Sequence, residues 1–175
     1  MLFLAKNLKE IAFSALMDVY MESNLENSEE FWPDLPESTR LLRAEQEFYQ
    51  YLRESFFATE GAVYAIWQED GRYVSALRME PYRDGLLLEA LETAPLQRRK
   101  GYAKKLLKAV QAHLSEQNAV KVYSHVGKKN TASLAVHEKC GFQRISEQAV
   151  YIDGSVNSYC CTMCWESDVL FNHLP

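Results

Sequence analysis

The stretch Arg98-Arg99-Lys100-Gly101-Tyr102-Ala103 constrains this chain more than any other. An apolar, strand-like segment precedes it, residues 86–93, and a helix-like segment follows it to about Gln117. In the latter, Ala103, Leu106, Leu107, Val110 and Leu114 recur at the intervals of one helix face. A glycine at a strand-to-helix junction, amid three cations, describes an anion-binding loop. The first turn of a helix leaves backbone N–H groups without intrahelical acceptors, and the helix dipole makes that end partly positive. A diphosphate fits such a place. Gly101 lets the backbone come close to it, because glycine has no Cβ.

The remaining pattern is mixed α/β. Residues 2–6 read as a short strand, and Asn7 with Glu10 as a capping box. Leu8, Ile11, Ala12, Ala15, Leu16, Val19 and Tyr20 then recur at helical spacing. Residues 26–36 break the pattern with Glu26, Glu29, Glu30 and Asp34 among Phe31, Trp32, Pro33 and Pro36, and read as an irregular loop or broken helix. Ser38 is the expected cap of a second helix over 39–57. Strands follow at 62–68, 73–81 and 86–93, separated by the turns Glu69-Asp70-Gly71 and Arg83-Asp84-Gly85. After the long helix come a strand at 120–126 and a helix at 130–139 stopped by Gly141. A hairpin of 142–152 with 158–165 across Asp153-Gly154-Ser155 closes the chain. Without repeat, linker or low-complexity tract, residues 1–175 read as one domain.

Composition narrows the class. An apolar fraction of 47% and a charged fraction of 25% are ordinary for a soluble globular protein. No apolar run approaches the roughly 18 residues that span a bilayer. Met1 to Lys6 is too short for a signal peptide and has no basic leader, so a cytoplasmic protein without a membrane partner is expected. A net charge of −5 argues against nucleic-acid binding, which needs a basic face. Cys161-x-x-Cys164 has zinc-like spacing, but there is no second pair and His173 is the only nearby imidazole. The four cysteines therefore read as small apolar residues, with no metal, and adjacent Cys160 and Cys161 as pointing to opposite faces of a strand.

Arg98-x-x-Gly101-x-Ala103 resembles the (Gln/Arg)-x-x-Gly-x-(Gly/Ala) signature of the GCN5-related N-acetyltransferases. Asn130-Thr131-Ala132-Ser133-Leu134-Ala135-Val136-His137-Glu138-Lys139-Cys140-Gly141-Phe142 resembles that family's second motif, Asn-x-x-Ala/Ser-x-x-(apolar)-Tyr-x-Lys-x-Gly-Phe. The gap between the motifs and the order of elements match the family along nearly the whole chain. The resemblance implies a central, mostly antiparallel, splayed sheet of six to seven strands flanked by four helices. It implies acetyl-CoA as co-substrate. The pantetheine arm would pair with the backbone of Leu91, Glu92 and Thr93. The diphosphate would lie on N–H groups of Arg99, Lys100, Gly101, Tyr102, Ala103 and Lys104, beside Arg98. Asn130 would contact the arm or anchor the loop, with Ser133 in the same segment. Lys104, Lys105 and Lys108 are plain surface or outer contacts to the 3′-phosphate.

The implied reaction is direct attack of a primary amine on the thioester in a ternary complex. Family members often carry a tyrosine that protonates the departing thiolate; His137 stands in its place. An ordinary histidine titrates near pKa ~6.5 against ~10 for tyrosine, so a neutral imidazole donating one N–H is expected to do that work. Candidate bases are Glu92 first, His125 second and Glu89 third. Glu89 and Glu92 fall on opposite faces of a regular strand unless a bulge resets the register. The acidic, aromatic stretch from Glu26 to Glu37 favours a cationic acceptor through charge and cation–π contact: a polyamine, an aminoglycoside-like molecule, a lysine or an N-terminal amine. Two alternatives stand beside this reading. One is a catalytically weak acyl-CoA-binding regulatory domain of the same fold. The other, another phosphate binder, lacks Gly-x-x-x-x-Gly-Lys-(Ser/Thr). A homodimer through an exposed strand edge is compatible with the family.

Overall fold

The computed structural model describes residues 1–116 and 120–167. Its first half comprises β1 (Leu2–Ala5), α1 (Phe13–Val19), α2 (Met21–Phe31), α3 (Glu37–Tyr51), β2 (Val63–Glu69), β3 (Arg72–Tyr82) and β4 (Gly85–Thr93). Then come α4 (Tyr102–Ser115), β5 (Lys121–Gly127), α5 (Thr131–Lys139), β6 (Gln143–Ser146), β7 (Ala149–Val150), β8 (Val156–Asn157) and β9 (Cys160–Glu166). Seven strands form one sheet in the order β1-β2-β3-β4-β5-β9-β6, and β7 and β8 make a separate two-stranded ribbon.

The sheet separates two apolar layers. Leu77, Met79, Leu88, Val122 and Val126 face Leu106, Leu107 and Val110 of α4. Tyr64, Ile66 and Ala76 face Leu16, Val19, Leu52 and Phe56 from the helices of the first half. The period-2 alternation along β3 assigns each side chain to its layer. Every residue just named is nearly or fully buried, and each of the Val, Leu, Ile, Met and Phe side chains contributes about 1.5–3 kcal/mol.

One pairing positions the site. β4 and β5 are parallel, and they touch only from Leu86–Val122 to Leu88–Ser124. Beyond Leu88 the strands part, so the side of β4 that faces β5 has no strand partner over residues 89–93. All other strand pairs are antiparallel. The splayed, mostly antiparallel sheet implied by the resemblance is present.

Four expectations change. Residues 21–31 are helical and the break is confined to 32–36, so of the two forms expected for 26–36 the broken helix is present and the loop is short. The inward positions of α2 are Asn24 and Ser28, so the helix has no apolar stripe to betray it. Ser28 Oγ donates to Leu25 O at 2.7 Å and Asn24 Nδ2 to Met17 Sδ at 3.4 Å, which satisfies both polar groups in place. The described helices therefore number five rather than four. Secondly, Asn7 does cap, accepting from Lys9 N at 3.1 Å, while Glu10 accepts from Lys6 N at 2.7 Å. The capped unit, however, is a three-residue 3₁₀ turn, Leu8–Glu10, and α1 starts later. Thirdly, α3 begins at Glu37 behind Pro36 with no side-chain cap, so Ser38 is an interior residue; a π turn, Leu52–Phe56, extends the helix. Lastly, the closing hairpin is interrupted. β6 pairs with β9 through a register shift between Arg144 and Ser146, and the β7–β8 ribbon stands apart from the sheet.

Candidate active site

The start of α4 is built for an anion. Gly101 has φ +81° and Arg99 φ +62°, so the loop alternates into the left-handed region and turns successive N–H groups toward one side. The first main-chain bond of the helix runs from Lys105 N to Gly101 O at 2.9 Å. No side chain caps the helix. The N–H groups of Tyr102, Ala103 and Lys104 thus have no intrahelical acceptor. A Cβ added to Gly101 would meet nothing within 4 Å, so the space over the loop is open.

That loop and the unpaired edge of β4 open on one cleft of about 650 Å³. Leu91, Glu92, Thr93, Arg98, Arg99, Gly101, Tyr102, Ala103, Lys104, Asn130 and Ser133 line it. Lys100 does not: its Nζ turns back to Gln97 Oε1 at 2.8 Å. Asn130 Oδ1 accepts from Ser133 N at 3.0 Å and so anchors the start of α5. Ala132, Val136 and Lys139 also line the cleft and were not expected. Their i, i+4, i+7 spacing puts them on one face of α5, a signal that the sequence does carry. The open helix terminus and the cations Arg98, Arg99, Lys104 and Lys139 fit a diphosphate.

β4 is bulged where the sheet parts. Arg78 pairs with Glu89 and Ala76 with Glu92, so Ala90 and Leu91 together oppose Leu77. Ala90 takes φ +51°. The extra residue resets the alternation, and Glu89 and Glu92 point to the same face, the one covered by α1–α3. His125 joins them on that face, its ring edge-on to Tyr82 at 5.7 Å and to Tyr151 at 5.1 Å. All three candidate bases thus share one side of the gap.

Their surroundings differ. Glu92 borders the cleft, 3.9 Å from Arg98, whose guanidinium also pairs with Glu22 of α2. Burial raises the Glu92 pKa, partly offset by Ser23 and Arg98, while Glu26 and Glu22 push it further up. Glu89 pairs with Arg78 at 3.7 Å and lines a second cavity of about 400 Å³ with Tyr51, Glu80, Tyr151 and Asp153. Burial, then the neighbouring Glu89, raises the Glu80 pKa. Burial, then Arg83, lowers that of His125, and neither of its ring nitrogens has a hydrogen-bond partner.

His137 lies elsewhere. It is 1% exposed, faces inward from α5 and packs edge-on against Phe142 at 5.0 Å. Nδ1 donates to Ser133 O at 2.8 Å, which leaves Nε2 as a buried lone pair without a partner. Burial lowers its pKa, with the Ser133 carbonyl acting in the opposite sense. An imidazole whose one N–H is committed to its own helix has no proton to give a thiolate. The expected role of His137 finds no geometric support, because its position falls on the core side of the helix.

The acidic, aromatic stretch is also occupied from within. Arg40 pairs with Glu29 at 2.7 Å, and the Arg43 guanidinium stacks over Trp32 at 4.9 Å. Glu26, Glu30 and Asp34 of the stretch stay exposed, and a second group of carboxylates, Glu80, Glu89 and Asp153, lines the cavity of about 400 Å³. Cys161 is buried in the α4-side core, whereas Cys164 packs near Tyr82, Leu87 and Tyr123 on the other face. Among the described residues no metal-ligating cluster forms; His173 lies outside them.

Comparisons with known proteins agree with this geometry. Residues 19–142 match the profile of the acetyltransferase (GNAT) family. The fold resembles the ribosomal-protein-S18-alanine N-acetyltransferase from Escherichia coli, with TM-score 0.59, 16% identity and coverage of 100% of this chain and 99% of that one. It resembles the PaiA N-acetyltransferase from Thermoplasma acidophilum in complex with coenzyme A, with TM-score 0.60, 12% identity and coverage of 94% and 98%. It also resembles an aminoglycoside 6′-acetyltransferase type Ii, with TM-score 0.61, 11% identity and coverage of 94% and 96%. No curated sequence matches significantly. The chain belongs to the GNAT family of acetyltransferases.

Proposed function

We propose that the protein transfers an acetyl group from acetyl-CoA to a primary amine by direct attack within a ternary complex. The observation that carries this reading is that an uncapped helix terminus and an unpaired strand edge open on the same cleft. Bound acetyl-CoA would supply the activated thioester. The N–H groups of Tyr102, Ala103 and Lys104 bind its diphosphate, with Arg98, Arg99 and Lys104 supplying charge. The free edge of residues 91–93 pairs with the pantetheine arm. Main-chain N–H at the bulge faces the carbonyl oxygen as it gathers charge.

Glu92 takes a proton from the acceptor ammonium, directly or through water; the free amine then attacks the thioester carbonyl, and the C–S bond breaks with CoA leaving as the thiolate. Glu92 borders the cleft, and its raised pKa makes it a better proton acceptor. His125 and Glu89 stand as the second and third candidates. The acceptor enters from the face of α1–α3, where Glu80, Glu89 and Asp153 favour a cationic amine.

A second reading is favoured by one observation. The inward-facing His137 leaves the motif without its proton donor, as in an acyl-CoA-binding regulatory domain. One experiment separates the two. Acetyl-CoA raises the melting temperature under both readings. Release of CoA thiol across a panel of polyamines, aminoglycosides, lysine and N-terminal peptides occurs only under the first.

A further inference from the structure

We propose that Tyr20 is a positioning residue for acyl transfer, its buried hydroxyl holding the β4 bulge so that the Leu91 N–H is presented to the cleft. The inference rests on the reading that the acetyl end of acetyl-CoA lies at that bulge. Ala90 sits at φ +51°, a backbone that costs a residue with a Cβ about 1–2 kcal/mol. The surrounding structure must therefore over-determine it. Two hydroxyls do so. Tyr20 Oη donates to Ala90 O at 2.8 Å, and Ser75 Oγ donates to Glu92 O at 2.5 Å.

The direction of the first bond matters. The described chain has no cis peptide, and in a trans peptide N–H points opposite to C=O. With the Ala90 carbonyl tied to Tyr20 on the α1–α3 side, the Leu91 N–H is turned away from that side. Leu91, Glu92 and Thr93 all line the cleft.

Tyr20 itself is rigid. It joins α1 to α2, is 4% exposed, and its ring packs against Phe48 at 5.7 Å and Tyr64 at 6.5 Å. Burial raises its pKa, so the hydroxyl stays protonated and remains a donor. Tyr20 touches no reacting atom. It ties the acceptor-side helices to the peptide that would polarise the thioester.

The test is isotope-edited infrared spectroscopy of [1-¹³C]acetyl-CoA bound to the full chain, with single-turnover CoA release alongside. In the wild type the bound thioester carbonyl absorbs at lower frequency than in free acetyl-CoA. In Tyr20→Phe, which keeps the ring, the band returns toward the free value, kcat falls about 10- to 100-fold and acetyl-CoA affinity holds. Ala90→Gly removes the left-handed penalty, so in that background the Tyr20→Phe loss is smaller. If Tyr20→Phe is too unstable to assay, the double variant against Ala90→Gly alone carries the comparison. Tyr73→Phe, which removes a hydroxyl bonded to Ala12 N rather than to Ala90, keeps the band shift. A Tyr20→Phe protein with the wild-type band overturns the proposal, whatever its rate, since a general loss of packing would leave the band in place. No band shift in the wild type overturns it as well, while amine-dependent turnover still upholds acetyl transfer. Absence of turnover with every amine overturns the transfer reading instead.

Discussion

Glu92 and Arg98 face one another at 3.9 Å across the mouth of the cleft, a carboxylate from the bulged strand against a cation from the anion-binding loop. The pair joins the two halves of the proposed chemistry. As a base, Glu92 works only when deprotonated, and burial raises its pKa. The acidic limb of kcat/KM is therefore expected above the ordinary carboxylate range of about 4. Glu92→Gln lowers kcat/KM about 100-fold and abolishes that limb. A pH profile of Glu92→Gln, His125→Gln and Glu89→Gln checks it. Retention of the limb in Glu92→Gln with its loss in His125→Gln moves the role to His125.

Gly85 opens β4 directly against β5. A Cβ there would stand 2.1 Å from the Lys121 carbonyl oxygen, which is backbone and cannot swing aside. Gly85→Ala forces apart the short parallel ladder that begins one residue later, at Leu86–Val122. The expected loss is about 1–3 kcal/mol, read by denaturant unfolding. An unchanged midpoint would show that the strands need not meet so closely.

Gly101→Ala acts differently, because nothing lies within 4 Å of the added carbon. The left-handed φ alone costs about 1–2 kcal/mol. The new methyl also occupies open space beside the loop proposed to hold the diphosphate. Calorimetry with acetyl-CoA should show affinity reduced by about tenfold or more, with the protein still folded. Full affinity in folded Gly101→Ala would place the diphosphate elsewhere.

His137 tests the limit of motif reading. Its folded pKa lies below its unfolded value of about 6.5, so folding favours the neutral form. Stability is fully present above that pH and is lost as pH falls through the folded pKa, because only the unfolded chain gains the proton. His137→Phe removes this dependence and leaves kcat near wild type. Thermal melts between pH 7 and pH 5 with parallel rates provide the measurement. A large fall in kcat would restore His137 as a proton donor.

Much of the framework was legible in the sequence. The strand–glycine–helix junction and the Asn130 segment depend on local features, backbone freedom at Gly101 and a cap at Asn130, which residue identity reports directly. The bulge was only half legible. Glu89 and Glu92 raised the question of register, but nothing in residues 86–93 tells that Ala90 turns left-handed, since that conformation is held by Tyr20, 70 residues away. Helix α2 was hidden because its buried positions are Asn24 and Ser28. The orientation of His137 was not legible, because a motif fixes a position along a helix, whereas packing on Phe142 fixes what the side chain can reach.

The central claim is acetyl transfer through the cleft shared by α4 and the open edge of β4. Its most direct test is amine-dependent release of CoA thiol from acetyl-CoA, wild type against Gly101→Ala. Release with a cationic primary amine is expected, confirmed by the acetylated product in the mass spectrum and sharply reduced in the variant. Saturable acetyl-CoA binding without acetylated product from any amine of the panel would contradict it.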